Sequence, residues 1–327
     1  MMNREPLVRA RNLHVNFVTR EATVAAVNGV DLDLAAGEVL CILGESGSGK
    51  SVTLRALMRL NPKGKTVMNG DLTVAGHDMM TIPDSKLSAL RGKVVSMIFQ
   101  EPMTALDPVF TIGRQIAETL IRHEGISRRD AERRALDLLE LVQIPSAKRR
   151  LDAYPHELSG GLRQRAMIAM AISCRPKLLL ADEPTTALDA TVQIQILLLL
   201  RSLQQELGMG VIFVTHDLGV AGEIADRIAV MYAGRMVEQG SVIDVMAKPL
   251  HPYAQGLMGA TVHAGTRGKR LTTIPGAPPD LRQPISGCAF APRCQYAAEA
   301  CRERVPDFIS PASGRAVRCV RVEDLAA

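Results

Sequence analysis

The stretch Gly44-Glu-Ser-Gly-Ser-Gly49-Lys50-Ser51 decides the fold class of this 327-residue chain. It matches G-x-x-x-x-G-K-[ST] at every position, a pattern typical of a loop that binds phosphate groups. An apolar run at 38–43 precedes it and predicts a strand buried on both faces. Helical spacing of apolar residues follows at 51–60. Strand, glycine-rich loop and helix in this order are the context that a phosphate-binding loop requires.

The residue types of this loop suit the chemistry of phosphate binding. Glycines let backbone N–H groups curl around phosphate oxygens without a Cβ atom in the way. The N-terminus of the next helix adds a partial positive charge. Lys50 is predicted to reach the β- and γ-phosphates, and Ser51 to offer its hydroxyl to Mg²⁺. The residues predicted to hold the nucleotide are Gly44, Glu45, Ser46, Gly47, Ser48, Gly49, Lys50, Ser51 and Val52.

Two adjacent carboxylates end a second apolar strand, Leu178-Leu-Leu-Ala-Asp182-Glu183. Carboxylates in such a place are costly unless cations or protons use them. Beside a phosphate loop, Asp182 is predicted to hold Mg²⁺, and Glu183 to polarise the water that attacks the γ-phosphate. The alternative for either residue is a helix cap or a surface ion pair.

Buried strands alternate with helices along most of the chain. This alternation predicts an α/β fold with a mostly parallel sheet. The predicted order is strand 38–43, helix 51–60, helix 159–174, strand 178–181, helix 190–207 and strand 211–215.

Three segments lie outside this pattern. Residues 7–35 alternate apolar and polar positions, which predicts antiparallel strands. Residues 101–159 are predicted to be mostly helical. Beyond residue 246 Pro and Gly become frequent, which predicts a loop-rich C-terminal extension at 246–327.

Composition narrows the function classes. The formal charge is +5, which fits handling of anions without requiring nucleic acid. Aromatic residues make up only 3% and Trp is absent, which argues against stacking on single-stranded nucleic acid. No apolar run approaches the ~18 residues that cross a membrane, and the first residues lack the apolar stretch of a signal peptide. We therefore expect a cytosolic chain with no nucleic-acid partner, which reaches a membrane only through another protein.

A third motif narrows the family. Leu158-Ser-Gly-Gly161-Leu-Arg-Gln-Arg165 opens the helix that precedes the two carboxylates. By itself it is an ordinary helix start, with Ser159 as a possible N-cap. Together with the phosphate loop and the carboxylates it resembles the ATP-binding subunits of ABC transporters, whose signature is LSGGQ-like. Leu162 replaces the usual Gln, while Ser159, Gly160 and Gly161 stay in place.

The resemblance extends to four further landmarks. Gln100 resembles the Q-loop glutamine, which touches the metal and the attacking water. Asp189, in Ala187-Leu188-Asp189, resembles the D-loop, and His216 the switch histidine that contacts the γ-phosphate. Phe17 resembles the A-loop aromatic that stacks on adenine.

This resemblance implies a P-loop NTPase (RecA-like) fold and a mechanism. The ATPase domain would span 7–245, with the helical subdomain at 101–159 inserted in it. Two subunits would meet head to tail around two ATP molecules, with Ser159 and Gly161 of one subunit facing Lys50 and Ser51 of the other. The second subunit would be a copy of this chain or a paralogue. The other implied partners are two transmembrane permease subunits and an extracytoplasmic substrate-binding protein, which places the chain peripherally on the cytoplasmic face of the inner membrane.

The C-terminal part and one early stretch resemble a subfamily. These stretches are similar to the ATPases of oligopeptide/dipeptide importers, so the resemblance implies import of di- or oligopeptides. Nickel and glutathione importers share much of the same tail and remain the alternative. The stretches are Gln100-Glu-Pro-Met-Thr-Ala-Leu-Asp-Pro108, His251-Pro-Tyr-Ala-Gln-Gly-Leu257, Ile274-Pro-Gly-Ala-Pro-Pro-Asp-Leu281 and Gly287-Cys-Ala-Phe-Ala-Pro-Arg-Cys294.

The six cysteines fall into two groups. Cys41 and Cys174 stand in apolar surroundings and are predicted to be buried packing residues. The other four match neither a zinc knuckle nor a bacterial ferredoxin run, and in a cytosolic chain they favour a metal site over disulfides. The importer resemblance implies a [4Fe–4S] cluster; zinc or plain packing thiols are the alternatives. These four are Cys288, Cys294, Cys301 and Cys319, and the basic residues expected to offset a cluster's negative charge are Arg293, Arg302, Arg304 and Arg318.

Other functions fit less of the sequence. ABC ATPases that act on DNA place long coiled coils between the phosphate loop and the second carboxylate motif, and the segment between Lys50 and Asp182 is too short for them. Ribosome-acting members usually fuse two cassettes, whereas this chain has one. A metal-sensing regulator built on the cysteines would leave the ATPase motifs unexplained.

Overall fold

The computed structural model describes residues 5–186, 188–260, 273–312 and 314–326. Ala187, part of the D-loop prediction, lies outside these ranges. The strands are β1 (Val8–Val18), β2 (Thr23–Leu34), β3 (Val39–Leu43), β4 (Thr66–Val74), β5 (His77–Asp78), β6 (Val95–Ile98), β7 (Leu178–Asp182), β8 (Gly210–Thr215), β9 (Arg227–Tyr232), β10 (Arg235–Ser241), β11 (Ile309–Ala312) and β12 (Arg315–Val317).

The helices surround two sheets. None of them, within the described ranges, is long and apolar enough to cross a membrane. They are α1 (Lys50–Leu57), α2 (Asp84–Leu90), α3 (Pro102–Ala105), α4 (Ile112–Glu124), α5 (Arg128–Leu141), α6 (Ala147–Arg150), α7 (Gly160–Ile172), α8 (Ala190–Leu207), α9 (Leu218–Ile224), α10 (Val242–Ala247), α11 (Pro252–Gly259), α12 (Ala300–Glu303) and α13 (Val322–Ala326).

The larger sheet has eight strands in the order β11-β12-β10-β9-β3-β8-β7-β6. The pairs from β9 through β3, β8 and β7 to β6 are parallel, and those from β11 to β9 are antiparallel. Every position of β3, β7 and β8 is buried, as the continuous apolar runs predict. Leu43 pairs with Thr215, and Asp182 with Val214, so these strands end at one edge of the sheet. Ligands of open α/β sheets bind at such an edge.

Strand β3 separates two hydrophobic cores. Leu40 and Ile42 pack in the core that lies under the smaller antiparallel sheet, β2-β1-β4-β5. Cys41 and Leu43 point the other way, into the core shared with helices α4, α5 and α7. Because side chains alternate along a strand, one short apolar run supplies both layers.

The helices at 101–159 form a unit between β6 and α7. Thr111 caps α4 and Ser127 caps α5, each accepting a backbone N–H from the first turn. Ala131, Ala135 and Leu139 recur at helical spacing and are buried against α4 and α7. The predicted helical character of this segment is therefore confirmed.

The C-terminal extension is more regular than its Pro and Gly content suggests. Strand β12 pairs with β10 and adds, with β11, two strands to the larger sheet. Glu238 on β10 is fully buried and accepts the backbone N–H groups of Leu250 at 2.9 Å and His251 at 2.8 Å. Its Oε1 also accepts from Nη2 of Arg315 at 2.8 Å. One buried carboxylate thus ties three separate segments together.

Replacing Glu238 by Gln should lower the free energy of unfolding by about 3 kcal/mol, because Arg315 keeps a charge whose partner is gone. Urea unfolding of the full chain measures this loss. The control is Asp33→Asn, whose pair with Arg11 is exposed (side-chain exposures of 44% and 37%) and should cost less than about 1 kcal/mol. Equal losses in the two variants would contradict the assigned role of Glu238.

Candidate nucleotide-binding site

The phosphate loop at 44–51 joins β3 to α1 in a conformation that requires glycine. Gly49 has a φ of 103°, and a Cβ atom there would lie 2.4 Å from the carbonyl oxygen of Ala26. A Cβ at Gly44 would lie 2.2 Å from the carbonyl oxygen of Met231. Both approaches are far inside van der Waals contact, so neither position tolerates a side chain without moving backbone.

Lys50 begins α1 and is only 5% exposed. Its Nζ donates to the carbonyl oxygens of Gly44 at 2.8 Å and Glu45 at 3.0 Å. Burial lowers the pKa of Lys50, while the charges of Glu183 and Asp182 oppose that shift. The ammonium group is therefore desolvated and held inside the curve of the loop.

Two hydroxyl groups of the loop suit phosphate and magnesium. Ser48 Oγ is buried without a hydrogen-bond partner among the described residues, so it is free to meet a phosphate oxygen. Ser51 Oγ donates to Oδ1 of Asp182 at 2.7 Å. Burial raises the pKa of Asp182, and the Ser51 hydrogen bond counters it. A hydroxyl beside a carboxylate offers the hard oxygen ligands that Mg²⁺ prefers.

Glu183 is the meeting point of the predicted catalytic residues. Its Oε2 accepts from Nε2 of Gln100 at 3.3 Å and lies 3.3 Å from Nδ1 of His216. Thr186 Oγ1 donates to the same oxygen at 3.0 Å. Glu183 has a φ of 46°, a conformation that costs a non-glycine residue of order 1–3 kcal/mol and clusters at functional sites. Gln100 was predicted as a magnesium ligand. In the structure its amide nitrogen donates to Glu183.

Thr186 is the site residue that sequence reasoning missed. It lies three positions after Glu183 in the turn that follows β7, and its backbone N–H donates to the Glu183 carbonyl oxygen at 3.2 Å. A hydroxyl residue three positions after a carboxylate is common and therefore a weak signal by itself. Only the turn brings it onto Glu183.

The signature residues and the D-loop residue Asp189 lie at the starts of two helices. Ser159 caps α7 by accepting the N–H of Leu162 at 3.4 Å, and Gly160 and Gly161 follow in its first turn. Asp189 caps α8 by accepting the N–H of Val192 at 3.0 Å. A Cβ at Gly161 would lie 2.7 Å from Cγ1 of Val192, so the two helix starts pack together. In the described ranges, no hydrogen bond joins these residues to the phosphate loop of the same chain.

Phe17 lies near the end of β1 and is half-buried. It pairs with Val24 on β2 and Thr66 on β4. Val24 is two residues from Ala26, whose carbonyl oxygen faces Gly49. The end of the smaller sheet therefore lies beside the phosphate loop.

The four C-terminal cysteines line one small cavity together with His251 and Phe290. Burial raises the pKa of the Cys288 thiol to about 11. Within the described ranges, no group of three or more His, Cys, Asp and Glu side chains is arranged to hold a metal ion. This arrangement therefore supports neither the zinc alternative nor the iron–sulphur assignment. The prediction of buried packing thiols is correct for Cys41, at 0% exposure, and Cys174, at 8%.

Two of the four arginines expected to offset a cluster charge contact other groups. Arg293 forms an ion pair with Glu45 in the phosphate loop. Arg318 donates to the carbonyl oxygens of Met236 and Pro306. Arg302 and Arg304 are exposed. The expectation that these four residues serve a cluster is wrong for Arg293, whose charge is matched by a carboxylate.

His251 gives the extension a pH dependence. The residue is fully buried, which lowers the pKa of its imidazole to about 3, and its Nδ1 accepts the Tyr253 N–H at 3.0 Å. In the unfolded chain the imidazole takes a proton near its ordinary pKa of about 6.5. Between these two values the unfolded state binds more protons, so stability falls as the pH drops below about 6.5. This residue contributes at most about 1.4 kcal/mol per pH unit.

We expect His251→Asn to lose less stability between about pH 7 and pH 5 than the parent. Asn can cap α11 as His251 does but does not titrate. Urea unfolding across this range measures the slope, with the exposed His77→Asn as control. Identical slopes for all three chains would contradict the assignment.

Comparisons with known proteins place the chain in a family. The family model described as "ABC transporter" matches residues 27–186, and "Oligopeptide/dipeptide transporter, C-terminal region" matches residues 237–301. A Brucella melitensis protein that carries the name of a peptide import ATP-binding protein is 49% identical over 100% of both chains. A Sinorhizobium fredii protein, named as the ATP-binding protein of a peptide ABC transporter, is 48% identical over 98% of this chain and 96% of its own.

Solved structures agree with these relatives. The dimeric post-hydrolysis structure of the ATP-binding cassette MJ0796, bound to ADP and Pi, has a TM-score of 0.65 and 30% identity over 72% of this chain and 98% of that one. The structure of cbiO1 from Clostridium perfringens, part of the ABC transporter complex cbiONQ, has a TM-score of 0.64 and 26% identity over 75% of this chain and 92% of that one. The predicted P-loop NTPase fold is thereby confirmed. The chain belongs to the ABC transporter ATPases and carries the C-terminal region of the oligopeptide/dipeptide transporters.

Proposed function

We propose that this chain is the ATP-hydrolysing subunit that energises a di- or oligopeptide importer. The observation that carries the proposal is one continuous chain in which Lys50, Ser51, Asp182 and Glu183 lie together at the ends of the central strands. A region that matches the oligopeptide transporters contacts the phosphate loop through Tyr253 and Arg293. The relatives of similar length are named for peptide import and for a peptide ABC transporter, which supports peptides as the cargo class.

Each residue of the site has its own role in the proposed hydrolysis of ATP. Lys50 and the loop N–H groups bind the β- and γ-phosphates, and Ser51 with Asp182 would hold Mg²⁺, joined by Gln100 when nucleotide is present. When bound, Mg²⁺ supplies positive charge that offsets the charge on the phosphates. Glu183 accepts a proton from the water that attacks the γ-phosphorus, and the bond to the ADP oxygen breaks. His216 and Gln100 orient that water and the γ-phosphate, and Phe17 stacks on adenine.

Ser159, Gly160, Gly161 and Asp189 serve the second subunit in this proposal. They form the starts of two packed helices and make no hydrogen bond, among the described residues, with their own phosphate loop. The dimeric form of the similar cassette MJ0796 supports pairing of two subunits. The partner is either a second copy of this chain or a paralogue.

Transport requires a membrane complex around the ATPase. We assign residues 7–245 to the ATPase domain, 101–159 to its helical subdomain and 246–327 to the extension. The helical subdomain would contact one of two transmembrane permease subunits, and an extracytoplasmic binding protein would deliver the cargo. The chain itself would lie peripherally on the cytoplasmic face of the inner membrane.

Uptake in the native host tests the cargo. A strain carrying Glu183→Gln is compared with wild type for labelled di- and oligopeptides, glutathione and Ni²⁺. Loss of peptide uptake alone supports the proposal. Loss of nickel or glutathione uptake alone keeps the ATPase and replaces the cargo with the alternative.

The four C-terminal cysteines would hold a [4Fe–4S] cluster, one thiolate to each iron. The support for this proposal is that all four cysteines line one cavity. Iron and sulphide are quantified in full chain purified without oxygen, beside Cys288→Ser and the control Cys174→Ser. Iron in the parent and the control but not in Cys288→Ser supports the cluster; an iron-free parent refutes it.

A further inference from the structure

The phosphate loop contains a carboxylate, although its predicted task is to bind phosphate groups. Glu45 is the second residue of the loop, and its carboxylate is partly buried (27% exposed). It acts on Lys50 electrostatically, and its own carbonyl oxygen accepts from Lys50 Nζ at 3.0 Å. A negative charge in the loop that is predicted to bind the triphosphate opposes binding of a polyanion unless it is neutralised.

Arg293 of the C-terminal extension supplies that neutralisation. Its Nη1 donates to Oε2 of Glu45 at 2.8 Å and its Nη2 to Oε1 at 3.1 Å, a bidentate pair between residues 248 positions apart. Such paired, charge-assisted hydrogen bonds are strong and set orientation as well as charge. The Arg293 side chain is only 6% exposed, so water screens the pair weakly.

The Arg293 guanidinium is held in place by contacts other than Glu45. Nε donates to the carbonyl oxygen of Pro275 at 2.8 Å, and Nη1 also donates to the hydroxyl of Tyr232 at 3.3 Å. Its guanidinium carbon lies 5.8 Å from the Tyr232 ring centre and 5.9 Å from that of Phe290. These contacts orient the planar guanidinium, and the Glu45 carboxylate lies against its Nη1 and Nη2.

A second residue of the extension holds the backbone of Glu45. The hydroxyl of Tyr253 accepts the Glu45 N–H at 2.8 Å, and Tyr253 itself is fully buried on α11. The extension thus holds both the main chain and the side chain of one loop residue. Through the Glu45 carbonyl oxygen the same contacts reach Lys50.

We propose that Arg293 is a positioning residue for ATP binding: it neutralises Glu45, turns its carboxylate toward the extension, and keeps the loop and Lys50 in place for the phosphates. The inference rests on the proposed role of loop 44–51. It assigns the C-terminal extension a direct part in nucleotide affinity, because the residue that sets the charge of the loop lies outside the ATPase domain.

The test measures the Kd for Mg·ATP by calorimetry on the full chain, with Glu183→Gln present in every protein to prevent turnover. Arg293→Ala should raise Kd about tenfold, the lower range for hydrogen bonds to a charged group. Adding Glu45→Gln should restore most of the affinity, since the unpaired carboxylate is then gone. The deficit of Arg293→Ala should shrink in high salt, because repulsion between charges is screened.

The control is Arg282→Ala, also in the extension, whose pair with Asp280 is exposed; its Kd should equal that of the parent. Thermal unfolding of each variant reports on folding, and Arg293→Gln, which retains a hydrogen-bonding group, replaces Arg293→Ala if that chain does not fold. An unchanged Kd in Arg293→Ala overturns the inference, as does failure of Glu45→Gln to restore binding. Lys50→Ala in the same assay distinguishes failure of the Arg293 inference from failure of the proposed role of loop 44–51. Normal binding by Lys50→Ala would overturn the assignment of the loop.

Discussion

Glu183→Gln should bind Mg·ATP as tightly as the parent and hydrolyse it about 100- to 10,000-fold more slowly, the range for loss of a general base. The carboxylate lies at the end of β7, where Gln100, Thr186 and His216 all approach one of its oxygens. Gln keeps the shape of the side chain and a hydrogen-bond acceptor but cannot take a proton from water at neutral pH. Binding should persist because the phosphates are held by the loop and Lys50.

Calorimetric binding and release of phosphate measure the two properties separately in the full chain. The matched control is Glu223→Gln, an exposed glutamate on α9, which should change neither. Hydrolysis at the parent's rate by Glu183→Gln would show that another group activates the water, and the assignment of the base would fail.

Lys50→Ala should lose both binding and hydrolysis, with the Kd for Mg·ATP rising by about 100-fold or more. The ammonium is desolvated and held inside the loop by two carbonyl oxygens, which leave one of its three N–H groups to donate to phosphate. Loss of a hydrogen bond between charged groups, worth about 1.5–3 kcal/mol, together with loss of the attraction between the ammonium and the phosphate charges, accounts for the size of the effect.

The same calorimetry checks this result, with Lys63→Ala as control. Lys63 is 74% exposed and pairs with Asp84 on the surface, so its removal should leave Kd unchanged. Thermal unfolding verifies that Lys50→Ala is folded. Tight binding by folded Lys50→Ala would contradict the assignment of loop 44–51 to the nucleotide site. The two variants are expected to differ, because Glu183→Gln should bind Mg·ATP without hydrolysing it.

Much of the site could be predicted from the sequence because its parts are local. Glycines 44 and 49 are required by close backbone approaches, and the lysine and serine follow directly in the chain. Asp182 and Glu183 end an apolar run, and parallel strands place such ends at one edge. The motifs therefore indicated which residues lie together. The apolar stretches that precede them indicate only that each strand is buried.

The extension was predicted less well because its contacts are long-range. Its Pro and Gly content predicted loops, yet β12 pairs with β10, and Glu238 gathers N–H groups from residues 250 and 251. Strand pairing at an existing sheet edge depends on the free edge of β10 rather than on local propensity. The arginines next to the cysteines were expected to serve a metal cluster, whereas one of them crosses to the phosphate loop.

By itself the sequence determined the nucleotide chemistry, the α/β fold and the family, because spacing, hydrophobic period and the conformational demands of glycine are encoded within a few residues of each motif. Only the tertiary structure decided that Thr186 contacts Glu183, that Ser159 caps α7 without a hydrogen bond, in the described ranges, to its own phosphate loop, and that Arg293 is paired with Glu45. Those contacts depend on which surfaces pack together, and an ion pair between residues 248 positions apart leaves no periodic trace in the chain.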